Sequence, residues 1–293
     1  CTCSLRIAAR CSSACTRARS EFSRSRTLPS RYRVVCGKTF CMTPRLGRRA
    51  RALIVSLCLA AATAFGGAPA AQAYTVYPGD NIRIQFSDGA VYICTLNSVA
   101  QRDGAMWGVT AGHCLIPRHG TVPVRILASD GCTVLAANLN GHGVKSDNDG
   151  SAWWFSDTGW FRFDPHVAHG GALRGGNITD RALGSDSQLT AATRAIHPKR
   201  PIAGRAPISW VRVGQIVCKD GGTTSRSCGP VIRVNYNTGE IYTLMLTLGG
   251  DSGSPLYLLT PGRKALIVGV HSRSKGPLLD IADAALPLPG GLS

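Results

Sequence analysis

Residues 74–293 predict an all-β fold, a sandwich or a barrel, and three observations carry that reading. Short β-branched or apolar runs recur along the segment, Gly, Asp, Asn and Pro punctuate them, and no long stretch repeats at the 3.6-residue helical period.

The runs follow in order. Ile82-Arg83-Ile84-Gln85-Phe86 alternates apolar and polar residues, as a strand with one buried face requires. Ala90-Val91-Tyr92-Ile93-Cys94 and residues 122–127 repeat the signal, and residues 210–213, Trp210-Val211-Arg212-Val213, form a fourth run. Residues 230–234, 241–246 and 265–270 complete the set. The least strand-like stretch, residues 168–206, is rich in Gly, Ala, Arg and Pro and is expected to connect two halves, 74–167 and 207–293.

Charge and cysteine are unevenly placed. The chain carries a net +17, but residues 1–73 hold 13 of the 33 Lys/Arg and one of the 16 acids. That leaves 20 basic and 15 acidic residues beyond Ala73, a net of +5 and an ordinary surface, so nucleic acid is not an expected partner. Arg45, Arg48, Arg49 and Arg51 precede an apolar run that begins at Ala52, and Ala71-Gln72-Ala73 is an A-x-A site. Residues 42–73 therefore read as a signal peptide cleaved after Ala73 and imply export. Gly66-Gly67-Ala68-Pro69 cuts the apolar run below spanning length, which argues against a membrane anchor. Residues 1–41, ahead of the first Met at Met42, read as an upstream extension without a fold. Seven of the 12 Cys lie at or before Cys58, leaving Cys94, Cys114, Cys132, Cys218 and Cys228, and an exported chain permits disulfides among them.

Two local strings bear chemistry. Thr110-Ala111-Gly112-His113-Cys114 sets an imidazole after a turn of small residues, and Gly250-Asp251-Ser252-Gly253-Ser254-Pro255 sets a hydroxyl between glycines. A serine becomes nucleophilic only with a base in hydrogen-bond reach and donors for the developing oxyanion, and glycines let the backbone turn sharply enough to offer both. The lipase-type elbow needs Gly two residues after the Ser, where this chain has Ser254. A carboxylate must also orient the imidazole. Asp147, Asp149, Asp157 and Asp164 lie between the two strings.

These strings resemble the signature blocks of the chymotrypsin-like serine proteases, with His before Ser. Cys218-Lys219-Asp220-Gly221-Gly222-Thr223-Thr224-Ser225-Arg226-Ser227-Cys228-Gly229 resembles a disulfide hairpin of the bacterial, streptogrisin-like branch. Asp157-Thr158-Gly159-Trp160-Phe161, 44 residues after His113 and 95 before Ser252, resembles the family's entry into the strand behind its catalytic Asp. The resemblance implies two six-stranded antiparallel β-barrels with the active site in the cleft between them. It implies a His113–Asp157–Ser252 triad, an oxyanion hole from the N–H groups of Gly250 and Ser252, and bridges Cys94–Cys114 and Cys218–Cys228. It implies protein or peptide substrates, no metal or cofactor, and a secreted monomer. Leu246, six residues before the nucleophile, falls at the base of the substrate pocket, and Ser272 and Ser274 line its wall, so an apolar P1 side chain is expected. Ser272 also resembles the Ser that supports the catalytic Asp.

Several features depart from the family. Ser254 and Ser274 stand where Gly is common, and Tyr74 opens no new N-terminus able to pair with Asp251. Asp251 is then expected to pair with an internal Arg, and Cys132 to be a buried small residue. These departures leave a rival reading, a catalytically inactive protease-like binding or adhesion module.

Overall fold

The structure, a computed structural model, describes residues 73–139, 144–146, 157–180 and 185–284. The extension, the signal-peptide segment up to residue 72, Asp147 and Asp149 fall outside them.

Strands β1 (Tyr74–Val76), β2 (Asn81–Phe86), β3 (Val91–Thr95), β4 (Ser98–Arg102) and β5 (Ala105–Ala111) open the first half. A 3₁₀ turn, Gly112–Cys114, then leads to β6 (Pro123–Ala128), β7 (Val134–Ala136), β8 (Val144–Ser146) and β9 (Thr158–Arg162). They form two four-stranded ladders, β3-β2-β6-β7 and β4-β5-β9-β8. Alternation explains β2: Ile82, Ile84 and Phe86 are buried while Arg83 and Gln85 are half-buried. Both ladders contribute to one core, in which Ile82, Ile84 and Phe86 of β2 and Ile126 of β6 join Ala111 of β5 and Phe161 of β9.

The connection is more structured than its composition suggests. It contains β10 (Val167–His169), β11 (Ala172–Leu173), β12 (Thr179–Asp180), β13 (Ser185–Asp186), the short helix α1 (Leu189–Ile196) and β14 (Arg200–Arg205). β10 runs parallel to β1, and β14 parallel to β19 of the second half, so the segment is tied to both.

The second half comprises β15 (Ile216–Gly221), β16 (Ser225–Asn235), β17 (Glu240–Leu244), β18 (Pro255–Leu259), β19 (Ala265–Lys275) and β20 (Leu279–Ala284). Pairing runs β18-β15-β16-β17-β20-β19 and returns from β19 to β18, which closes a six-stranded antiparallel barrel. Val217, Val231, Ile241, Leu256, Val268 and Ala282 fill it.

Residues 210–213 are not a strand. A 3₁₀ turn, Ile208–Trp210, follows Pro207, and Gly214 bends back at φ +87°. Only Val211 reaches the core, whereas Trp210 and Val213 are exposed. The expected run 241–246 stops at Leu244, where β17 ends.

Candidate active site

Strand register brings His113 and Asp157 together. Ala111, the last residue of β5, pairs with Thr158, the first of β9, and the Gly112 N–H donates to the Asp157 carbonyl at 3.0 Å. The residues that follow one strand and precede the other are thereby neighbours. The His113 backbone N–H donates to Asp157 Oδ1 at 2.7 Å, and His113 Nδ1 lies 2.5 Å from Asp157 Oδ2. The Cys94–Cys114 bridge ties this turn to the end of β3, joining the two ladders of the first half beside the imidazole. Among the described residues, Cys94, His113 and Cys114 are grouped closely enough to suggest a metal site, but both sulfurs are spent in the bridge.

A third group completes the arrangement. Ser272 Oγ donates to Asp157 Oδ2 at 2.7 Å from β19. Burial pushes the Asp157 carboxyl up, but the hydrogen bond and charge of His113 and the Ser272 hydroxyl outweigh it and hold the group at about 2. Asp157 therefore stays ionised and fixes a ring whose Nδ1–H it accepts, which leaves Nε2 able to take a proton. Asp164 is elsewhere: its backbone bonds to Leu135 and Val167 in the turn after β9.

Ser252 sits on a loop that other residues hold from several sides. Gly250 and Gly253 adopt φ +100° and +92°, which side-chain-bearing residues rarely reach. A Cβ on Gly253 would also collide with the Thr110 hydroxyl and the Thr95 carbonyl, so the loop lies directly against the strand leading to His113. Thr95 acts as the clasp. Its N–H donates to the Ser252 carbonyl at 2.7 Å and its hydroxyl to the Gly250 carbonyl at 2.8 Å, while Thr110 Oγ1 donates to the Thr95 carbonyl. The Asp251 N–H is taken by the Leu248 carbonyl, but the N–H groups of Gly250 and Ser252 meet no backbone carbonyl among the described residues. Ser254 is fully buried with its hydroxyl on the Asp251 carbonyl, so the departure from Gly is accommodated.

Asp251 does have an internal partner, and it is a lysine rather than an arginine. Lys219 Nζ lies 3.1 Å from Asp251 Oδ2 and 3.1 Å from Asp280 Oδ1, with all three side chains fully buried. The Thr223 and Thr224 N–H groups donate to Asp251 Oδ1, and the Thr224 hydroxyl and Leu248 N–H donate to Oδ2, so the carboxylate is saturated. The Cys218–Cys228 bridge staples the hairpin that carries Lys219 and both threonines. A buried imidazole closes the cluster: His271 Nδ1 is 2.6 Å from Asp280 Oδ1, and His271 Nε2 is 3.2 Å from Thr247 Oγ1. Burial alone would raise the Asp280 carboxyl, but His271 and Lys219 hold it far below the usual carboxylate range.

Of the other residues read from the sequence, Leu246 and Ser274 are exposed and Ser272 is buried. Cys132 is a correction. It is exposed, in a turn where its N–H donates to Asp130 Oδ1, because Asp130 and Gly131 turn the chain outward between β6 and β7. Sequence reasoning missed the roles of Thr95, Lys219, His271, Asp280 and Asp283; Lys219 lies within the disulfide-hairpin string but nothing in that string marks it as a partner of Asp251.

No protein-family model matches the chain. Two uncharacterised proteins of Mycobacterium tuberculosis are 41% identical over 59 residues, 20% of this chain and 27% of theirs. The matched segment thus spans about a quarter of the length of those relatives. Similar solved structures include a glutamic acid specific serine protease described as using a histidine triad in substrate binding, at 22% identity, 71% of this chain, 93% of that one and a TM-score of 0.48. Protease A of Thermobifida fusca is similar at 18% identity, 72% and 91% coverage and a TM-score of 0.44. An alpha-lytic protease homolog is similar at 19% identity, 72% and 94% coverage and a TM-score of 0.45.

Proposed function

We propose that this chain is a serine endopeptidase of the chymotrypsin-like, streptogrisin-like family, exported and cleaved after Ala73. Its working part comprises a first barrel over 74–167, a connection over 168–206 and a second barrel over 207–293. One observation carries the reading: His113 is fixed by Asp157 and Ser272, and the glycine loop carrying Ser252 is clamped by Thr95 against β5, the strand that leads into His113, with the Gly250 and Ser252 N–H groups meeting no backbone carbonyl among the described residues. Ser252 attacks the peptide carbonyl as His113 accepts its proton. The Gly250 and Ser252 N–H groups stabilise the oxyanion, a contribution of about 3–4 kcal/mol per donor in comparable sites. His113 then delivers the proton to the leaving amine, and water releases the acyl group by the reverse sequence. Two disulfides beside the site fit an extracellular setting, and among the described residues no helix is long and apolar enough to cross a membrane.

A fluorophosphonate probe tests the reading on purified, oxidised protein. Stoichiometric labelling that disappears in Ser252→Ala supports it, and absence of labelling in the folded wild type favours the inactive binding module.

A second reading of the P1 preference rests on a further observation. Directly after Leu246 comes buried Thr247, whose hydroxyl meets His271 Nε2, and His271 directly precedes Ser272. An imidazole and a hydroxyl beside Leu246 and Ser272 suit a carboxylate, which sets an acidic P1 as a second reading beside the apolar one expected from Leu246. Chromogenic peptides differing only at P1 (Glu, Leu, Lys) decide between the two: fastest turnover of Leu supports the apolar reading, and fastest turnover of Glu the acidic one.

A further inference from the structure

Behind the proposed catalytic carboxylate lies a second one that no step above uses. Asp283, on β20, is 1% exposed. Its Oδ2 accepts the Asp157 backbone N–H at 3.0 Å. Its Oδ1 is buried without a hydrogen-bond partner among the described residues.

Charged and titratable groups face it from each neighbouring element. From the residue preceding β9 comes Asp157, whose own carboxylate carries His113. From β17 comes Glu240, the register partner of Asp283. From β19 comes Arg273, which is ion-paired with Glu240. Among the described residues, the charges acting on Asp283 apart from the imidazole are Asp157 and Glu240 against Arg273, one negative charge in excess. Ionising Asp283 adds another charge at a buried position, a costly state.

We propose that Asp283 is a positioning residue for the triad, one that fixes Asp157 through its backbone N–H and places a titratable charge behind the Asp157–His113 pair. This rests on the serine-protease reading of that pair. Burial, then the Asp157 charge and more weakly that of Glu240, push the Asp283 carboxyl up to about 7, with Arg273 and the Asp157 N–H only partly opposing them. Its ionisation therefore falls in the working range of an imidazole base. An ionised Asp283 puts a second negative charge behind Asp157, and that charge favours the positive imidazolium over the neutral ring at the base. The acid limb of kcat/KM then sits at higher pH, and is broader, than a base backed by Asp157 alone would give.

The test is the pH profile of Asp283→Asn, which keeps an acceptor for the Asp157 N–H but removes the charge. Its acid limb moves to lower pH by about 0.3–1 unit, the scale of a screened second charge at this depth, and sharpens to a single proton. Asp283→Ser, smaller and also neutral, repeats the test should the amide disturb folding. Asp283→Glu keeps the wild-type limb, and Asp88→Asn, which removes an exposed carboxylate in the turn after β2, leaves the profile unchanged. Limbs of both neutral variants superimposed on the wild type overturn the proposal. The His113 ring titration by NMR reads the same coupling without turnover. A wild type that takes no fluorophosphonate therefore counts against the protease reading, whereas an unmoved ring titration counts against Asp283.

Discussion

Lys219 Nζ lies 3.1 Å from Asp251 Oδ2, and both side chains are completely buried. The pair links the β15 strand of the second barrel to the residue preceding Ser252, so the loop conformation depends on a charge supplied from within the chain. With Thr223 and Thr224 it holds the loop that carries Ser252 by partners inside the second barrel.

Replacing Lys219 by Met leaves two buried carboxylates without their shared cation. The expected loss is about 3–5 kcal/mol of stability, the usual result of removing one partner of a buried ion pair. Urea unfolding measures it. Fluorophosphonate labelling of whatever remains folded is expected to fall further than the folded fraction does, because Asp251, left with uncharged donors only, holds the loop less firmly.

Much of the site was legible because it lies in short strings. Residues 110–114 and 250–255 carry their turns, glycines and functional groups within five or six positions, and the disulfide hairpin 218–228 is equally local. Lys219 was not legible, since a lysine in a polar hairpin string reads as solvent-facing. It is buried because β15 pairs with β18 as well as β16, and that register depends on closure of the whole barrel. Asp280 and Asp283 hid for a related reason. Both faces of β20 are covered, so residues of opposite parity are buried and no alternation marks them. Residues 210–213 failed in the other direction, with apolar composition but a Pro before and a Gly after that turn the chain.

Two carboxyls give stability opposite slopes with pH. Asp157 has its folded value depressed from 3.8 to about 2, so its contribution is present above pH 4 and is lost as pH falls through 2. At 1.36 kcal/mol per unit this amounts to about 2 kcal/mol. Asp283 is raised from 3.8 to about 7, so the folded state binds the extra proton between those values and stability falls as pH rises across them. The size is about 4 kcal/mol by the same conversion. Chemical denaturation from pH 3 to 8 is expected to show the falling branch in the wild type and a flatter one in Asp283→Asn. Equal slopes in the two proteins would contradict the assignment.

Ser272→Ala removes a hydroxyl that donates to Asp157 Oδ2 at 2.7 Å. A hydrogen bond to a charged acceptor contributes about 1.5–3 kcal/mol, and part of the loss here is recovered because His113 still occupies the same oxygen. A drop of about 10-fold in kcat/KM is expected, with the acid limb moved because Asp157 becomes less firmly ionised. A mere packing defect would lower Tm and leave the limb in place.

Gly253→Ala tests whether the loop geometry carries the chemistry. The position combines φ +92° with a Cβ direction blocked by Thr110 and the Thr95 carbonyl, so neither backbone nor space admits a methyl group. Relief requires the loop to withdraw from β3 and β5, which breaks the Thr95–Ser252 hydrogen bond and displaces Ser252. A displacement of about 1 Å is enough to cost about 100-fold in rate. The barrel behind the loop stays closed, because its six strands pair without residue 253. The variant is therefore expected to fold with both disulfides formed, show near-wild-type far-UV circular dichroism, and label with fluorophosphonate at least 100-fold more slowly. Wild-type labelling by a folded Gly253→Ala protein would mean that the clamp on Ser252 is not what activates it.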